Sequence, residues 1–154
     1  MAKTRIYMDC CCFNRPFDDQ SDPLVHLEAE AVKIILALCE KEFFELVTSD
    51  TLKFEIEKTP DVLRVEKLKA LESIARRNVK LDNIIVKRAK FFEGYGLKAV
   101  DALHLACAEQ EAQVLLTVDR KFLKKARKIE SLEIEIKNPI EWLTEVFDGE
   151  SNRI

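Results

Sequence analysis

Four acidic residues stand where the pattern of the chain gives them chemical work to do. Asp9 closes the short apolar run RIYM, Glu55 lies in TLKFEIEK, Asp101 sits inside LKAVDALHLACA, and Asp119 closes VLLTV. Asp101 stands out most. Read as a helix, Leu97 to Ala108 is apolar nearly all round, and such a helix is usually buried. His104 follows three residues later on the same face. A carboxylate in that setting is costly unless it is paired or binds a metal. Two unit charges ~4 Å apart repel by about 4 kcal/mol at an effective dielectric of about 20. A group of carboxylates therefore needs a cation if its members are to stay ionised. All-oxygen sites suit Mg²⁺ or Mn²⁺ rather than zinc. Such an ion with open water positions serves phosphodiester hydrolysis, lowering the pKa of the attacking water and stabilising the leaving oxygen.

The elements that must position these residues follow in order. Lys3 to Asp9 reads as a strand and Cys10 to Pro23 as a loop, with Asp18, Asp19, Asp22 and Pro23 as turn formers. His26 to Glu40 carries one helical apolar face, and Phe43 to Thr48 is β-prone. Ser49 and Asp50 are N-cap types opening the helix TLKFEIEK, which stops before Pro60. Asp61 caps a third helix reaching about Arg76. Asn78 to Leu81 is a short strand, and Asp82 and Asn83 cap a helix ending at Gly94. The apolar helix, the strand Val114 to Val118, a basic helix Arg120 to Lys128 and the strand Leu132 to Lys137 come next. Asn138-Pro139 then opens the closing helix PIEWLTEVF.

Strands alternating with helices predict an α/β fold with a mostly parallel sheet covered on both faces. Ligands of such sheets bind outside the carboxyl ends of the strands. Asp9 and Asp119 lie just past two such ends. The helix carrying Glu55 begins at the same edge, as does the helix carrying Asp101, which runs back across the sheet. Four carboxylates from four distant segments are thereby directed to one rim. Taken singly, Asp9 and Asp119 also read as turn residues, and Glu55 as a solvated helix residue with Glu57 beside it. His104 reads equally as a core histidine satisfied by hydrogen bonds.

Composition narrows the classes. With 154 residues, 47% hydrophobic and 34% charged, the chain is expected to form one domain over 1–147 with a frayed tail over 148–154. No apolar run approaches the ~18 residues of a membrane span and MAKTRIYMD lacks a signal-peptide core, so no membrane partner and a cytoplasmic setting are expected. A net charge of −3 makes any nucleic-acid contact local. Arg15 and Arg120, closest to the carboxylates, are the candidates; Lys121, Lys124, Lys125, Arg127 and Lys128 also read as a solvated face. Five cysteines, including Cys10-Cys11-Cys12, show no C-x-x-C spacing and read as small packed residues. No G-x-S-x-G, P-loop or G-x-G-x-x-G is present.

The pieces IYMDCCCFNRPF, TSDTLKFEIE, LKAVDALHLACAE, LLTVDRKF and NPIEWL together resemble a PIN-domain nuclease, most like the VapC-type toxins of toxin–antitoxin pairs. The resemblance implies a three-layer α/β/α fold with about five strands and Mg²⁺- or Mn²⁺-dependent cleavage of RNA. It also implies a small antitoxin partner and a homodimer. Asp9, Glu55, Asp101 and Asp119 fall on the family's acidic positions, and Thr117 on the polar residue two before the last Asp. One position departs. Cys10 stands where the family usually has Ser or Thr, and a thiol donates weakly. A catalytically inactive PIN-like binding module is the alternative. A phosphatase with a strand-end Asp nucleophile would need a second acid two residues on, where Cys11 stands.

Overall fold

The computed structural model describes residues 3–151. Its core is a five-stranded sheet, β1 (Arg5–Met8), β2 (Glu45–Ser49), β3 (Arg77–Val79), β4 (Val114–Leu116) and β5 (Glu135–Lys137), in the order β3-β2-β1-β4-β5. Every pair is parallel. Side chains alternate across a strand, and β1 shows it. Ile6 and Met8 pack with Cys12, Val32, Ile35 and Trp142 on one face, while Tyr7 packs with Phe92, Leu105 and Phe122 on the other. The first face is covered by α1 (Cys10–Asn14), α2 (Pro23–Glu40), α3 (Asp50–Glu57), α4 (Val62–Glu72) and α8 (Pro139–Ser151). The second is covered by α5 (Asn83–Glu93), α6 (Ala99–Glu111) and α7 (Arg120–Ala126). This is the expected three-layer α/β/α arrangement. Among the described residues no helix is long and apolar enough to cross a membrane.

Most caps fall where expected. Ser49 Oγ accepts from the Leu52 amide at 3.0 Å, Asp61 from Leu63 at 3.0 Å, and Asp82 from Ile85 at 2.8 Å. Several boundaries differ. The loop expected over Cys10–Pro23 is in part α1 and a 3₁₀ turn over Arg15–Phe17, because Asp9 caps that segment. Helix α2 begins at Pro23 rather than His26: Asp22 is its N-cap, accepting from Leu24 at 2.9 Å, and Pro23 supplies the pre-set first position. Helix α4 stops at Glu72, and β3 pairs from Arg77 to Val79, where the Asp50 carboxylate takes the Asn78 amide and the Leu81 N–H, each at 3.1 Å. Helix α8 continues to Ser151, so Asp148 to Ser151 of the expected tail are helical, and residues 152–154 lie outside the described residues.

The sheet order carries the functional geometry. From β1 the chain steps outward to β2 and β3, then returns to the other side of β1 for β4 and β5. The order therefore reverses between β1 and β4, and in open α/β sheets the binding crevice lies outside the carboxyl ends at that point. Met8 pairs with Leu116, so Asp9 and Thr117 emerge side by side at this crevice.

Candidate active site

Asp9 is 4% exposed and follows β1 directly. Its Oδ1 accepts from the Cys12 amide at 3.3 Å and from the Cys11 thiol at 2.9 Å. Asp119 repeats the arrangement after β4. Its Oδ1 accepts from Lys121 N–H at 3.0 Å and Phe122 N–H at 3.1 Å, capping α7, while its own N–H donates to Thr117 Oγ1 at 3.1 Å. The bland reading of these two aspartates thus holds for one oxygen of each. Among the described residues no donor occupies Oδ2 of either. Burial pushes the Asp9 carboxyl above its usual range, and the Cys11 thiol, the His104 charge and the nearby Thr117 and Cys12 donors partly oppose the rise.

Asp101 is the third residue of α6, in the first turn, where the helix dipole favours a carboxylate. It is only partly buried, in keeping with the rim position that chain direction predicts and less enclosed than the apolar pattern of its helix suggests. Its carboxyl is raised to about 6, first by burial, then by the charges of Asp9 and Asp119, with a smaller push from Glu55 and opposition from His104. Asp101 therefore feels the charges of the other three predicted carboxylates at one rim. They are not in mutual contact: among the described residues, the one trio of ligand-type atoms within 4.8 Å of one another is Asp9, Cys11 and Cys12.

His104 of α6 is deeply buried, 1% exposed. Its Nδ1 meets the Tyr7 hydroxyl at 2.6 Å, that hydroxyl meets Ser49 Oγ at 2.7 Å, and its Nε2 bonds Glu55 Oε1. Glu55, rather than Glu57, is the acid of α3 that faces this site; Glu57 pairs with Lys69. The core-histidine reading is correct, and the same bonds tie the core to an acidic residue of the rim. Tyr7 and Ser49 were not among the expected site residues. The available signal was a tyrosine inside a strand buried on both faces, whose hydroxyl had to find a partner.

The expected cations separate. Arg15 donates to the buried Glu28 from Nε at 2.9 Å and Nη2 at 2.7 Å, and to Asp18 at 3.3 Å. Its charge is committed to holding the 3₁₀ turn on α2. Arg120 is exposed beside Asp119 and shares a groove of about 430 Å³ with Lys124, Arg127 and Asn138. At the departing position, Cys10 Sγ accepts from Asn14 at 3.4 Å, and the thiol that reaches Asp9 is that of Cys11.

Among the described residues no Lys or Arg pairs with Asp9, Asp101 or Asp119. Carboxylates gathered so, with Asp101 raised by its neighbours and with Asp9 and Asp119 each keeping one oxygen outside their capping bonds, form a donor set that fits a hard divalent cation. An acidic rim at the switch point of a doubly covered parallel sheet defines the class. A family model for the PIN domain matches residues 6–128. The chain belongs to the PIN domain family, whose members are in general nucleases that use divalent metals. Among curated proteins none matches its sequence. Similar solved structures include FitAcB from Neisseria gonorrhoeae, 17% identical over 87% of this chain and 97% of that one, with a TM-score of 0.57. VapBC2 from Rickettsia felis, bound to a DNA fragment from their promoter, is 14% identical over 88% of this chain and 98% of that one, with a TM-score of 0.60. PAE2754 from Pyrobaculum aerophilum is 18% identical over 93% and 95%, with a TM-score of 0.50. At these identities the likeness is one of fold.

Proposed function

We propose that the chain is a metal-dependent endoribonuclease, the toxin of a toxin–antitoxin pair. The observation that carries this reading is that Asp101 feels the charges of Asp9, Asp119 and Glu55 near the β1/β4 switch point while, among the described residues, no Lys or Arg pairs with any of the three aspartates. Asp9, Asp101 and Asp119 would hold Mg²⁺ or Mn²⁺, with Glu55 completing the site and Thr117 bracing it through Asp119 N–H. The ion, when bound, supplies an acidified water and a charge to stabilise the leaving oxygen. The chain's own residues do the rest. His104 and Tyr7 hold Glu55 Oε1, which leaves Oε2 to orient a water or receive its proton. Arg120, exposed beside Asp119, contacts an RNA phosphate; Arg15, already paired with Glu28, is the weaker candidate.

The partner readings rest on surface chemistry and on the VapBC2 and FitAcB likenesses. Leu24, Leu27 and Ile34 of α2 and Val62 and Leu63 of α4 are exposed apolar side chains, suited to cover by an antitoxin or a second copy. A single domain over 1–147 and a cytoplasmic setting complete the reading. Purified protein should cut single-stranded RNA with Mg²⁺ or Mn²⁺ but not with EDTA, and Asp101→Asn should abolish cleavage with an unchanged far-UV CD spectrum. Equal cleavage by the variant would overturn the assignment. An inactive binding module would show neither cleavage nor a rise in melting temperature with Mn²⁺.

A further inference from the structure

The all-oxygen rim has a sulfur side. Asp9, Cys11 and Cys12 each offer a ligand atom, and the three atoms lie within 4.8 Å of one another. Asp9 fixes the cluster, because its Oδ1 takes both the Cys11 thiol and the Cys12 amide at the start of α1. The other thiol contacts are weak ones: Cys11 Sγ lies 3.5 Å from Thr117 Oγ1, and Cys12 Sγ donates to Leu116 C=O at 3.3 Å. Thiols are poor donors, so little is lost when these bonds are given up.

We propose that Asp9, Cys11 and Cys12 form a binding site for a thiophilic divalent cation, with Zn²⁺ as the natural occupant. One carboxylate and two sulfurs make a mixed donor set. Such a set selects zinc over Mg²⁺ and Mn²⁺, which favour oxygen throughout. A tetrahedral zinc with Zn–S about 2.3 Å and Zn–O about 2.1 Å needs its donors roughly 3.5–3.8 Å apart. Small side-chain rotations at Cys11 and Asp9 bring the trio to that spacing, and water fills the fourth position. On binding, Cys11 and Cys12 each release a thiol proton to solvent and form a metal–sulfur bond. Entry is from the rim, because Cys11 is only partly buried while Cys12 closes the inner side at 0% exposure.

The site shares Asp9 with the all-oxygen site, and this sharing gives it a consequence that rests on the ribonuclease reading. Zinc drawn to the sulfurs takes Asp9 away from Asp101 and Asp119, so the same rim is active with a hard ion and silent with a soft one. Binding itself is tested without RNA. Co²⁺ titrated into metal-free full chain should bind one per chain with a thiolate-to-cobalt charge-transfer band. Zn²⁺ should displace it, and equal Mg²⁺ should not. Cys11→Ser, which keeps a hydroxyl for Asp9, should lose the band and at least about tenfold in Zn²⁺ affinity; Cys10→Ser should keep both. In the unmodified protein Zn²⁺ should slow alkylation of Cys11, mapped by mass spectrometry. No binding, a band absent from the unmodified protein, a band that survives in Cys11→Ser, or alkylation unaffected by zinc would each overturn the site. A chain that binds zinc this way yet cuts no RNA keeps the site and removes the ribonuclease reading.

Discussion

Replacing Asp101 with Asn should make the metal-free protein more stable, and the size of the effect follows from the charges around it. The carboxyl stands at about 6 against the usual 3.8, raised by burial and by Asp9 and Asp119. A folded-state value above the unfolded one means that the native state holds the extra proton between these two values. Stability therefore falls as pH rises from about 4 through about 6, and the loss is complete at neutral pH. The full difference corresponds to about 3 kcal/mol. Asp101 is partly exposed, so solvent screening reduces this to about 1–2 kcal/mol. For a chain of this length that is a rise of roughly 2–8 °C in melting temperature for Asp101→Asn near pH 7.5 in EDTA. At pH 4 the two proteins should melt together. Mn²⁺ should reverse the order, because it stabilises the parent by binding only its folded form and has lost a ligand in the variant. The assay is thermal unfolding by CD at the two pH values, with EDTA or Mn²⁺. A variant less stable than the parent in EDTA at pH 7.5 would show that Asp101 is held by a favourable interaction rather than by mutual repulsion, and the reasoning would fail.

Other outcomes follow from the same contacts. Tyr7→Phe and His104→Gln release Glu55, and each should lower kcat on RNA roughly 10–100-fold, the range of lost supporting bonds at metal sites, with little change in KM. A fall confined to KM would contradict a positioning role. Ser49→Ala removes the cap of α3 and the far partner of Tyr7, and should cost about 1 kcal/mol, measured by urea unfolding. Glu28→Ala strips Arg15 and Asn138 of a buried partner and should cost about 2–3 kcal/mol, below the usual range because Arg15 keeps Asp18 and some solvent. Arg120→Glu should weaken RNA binding most at low salt and leave the unfolding curve unchanged.

The layers of the fold and the direction of its chain could be read from the residues because the central strands β1, β2 and β4 are short, largely apolar runs, and several helices open on Ser49, Asp61, Asp82 or Asn138. Helix α1 could not. Cys10 to Asn14 has middling helix propensity and runs into Arg15-Pro16, a punctuation that reads as a loop. It folds because Asp9 caps it, a choice the isolated stretch does not reveal. For Asp101 periodicity reports faces and not ends, and it was chain direction that pointed this residue of the first turn to the rim, whatever its helix buries further along. Arg15 is the opposite case. Its nearness to Asp9 in the chain was plain, while its partner Glu28 lies a helix away on α2. The Tyr7–His104–Glu55 chain joins β1, α6 and α3, and no local pattern carries a contact of that span.

Asp9 and Asp119 each do two things, and this decides which substitution isolates the chemistry. One oxygen of each starts a helix at the end of a central strand, while the other is free toward the cleft. Alanine at either position removes a cap worth about 1 kcal/mol together with a ligand, so lost activity would be confounded with a loosened rim. Asparagine keeps an Oδ1 able to cap and loses the charge, which makes Asp9→Asn and Asp119→Asn the informative forms. Asp101 caps nothing: α6 starts at Lys98 without a side-chain bond. Of the three aspartates it alone contributes charge and no architecture. If the rim is a site built against its own stability, the three Asn variants must lose metal binding together, with Asp101→Asn gaining stability from relieved repulsion and no cap to weaken.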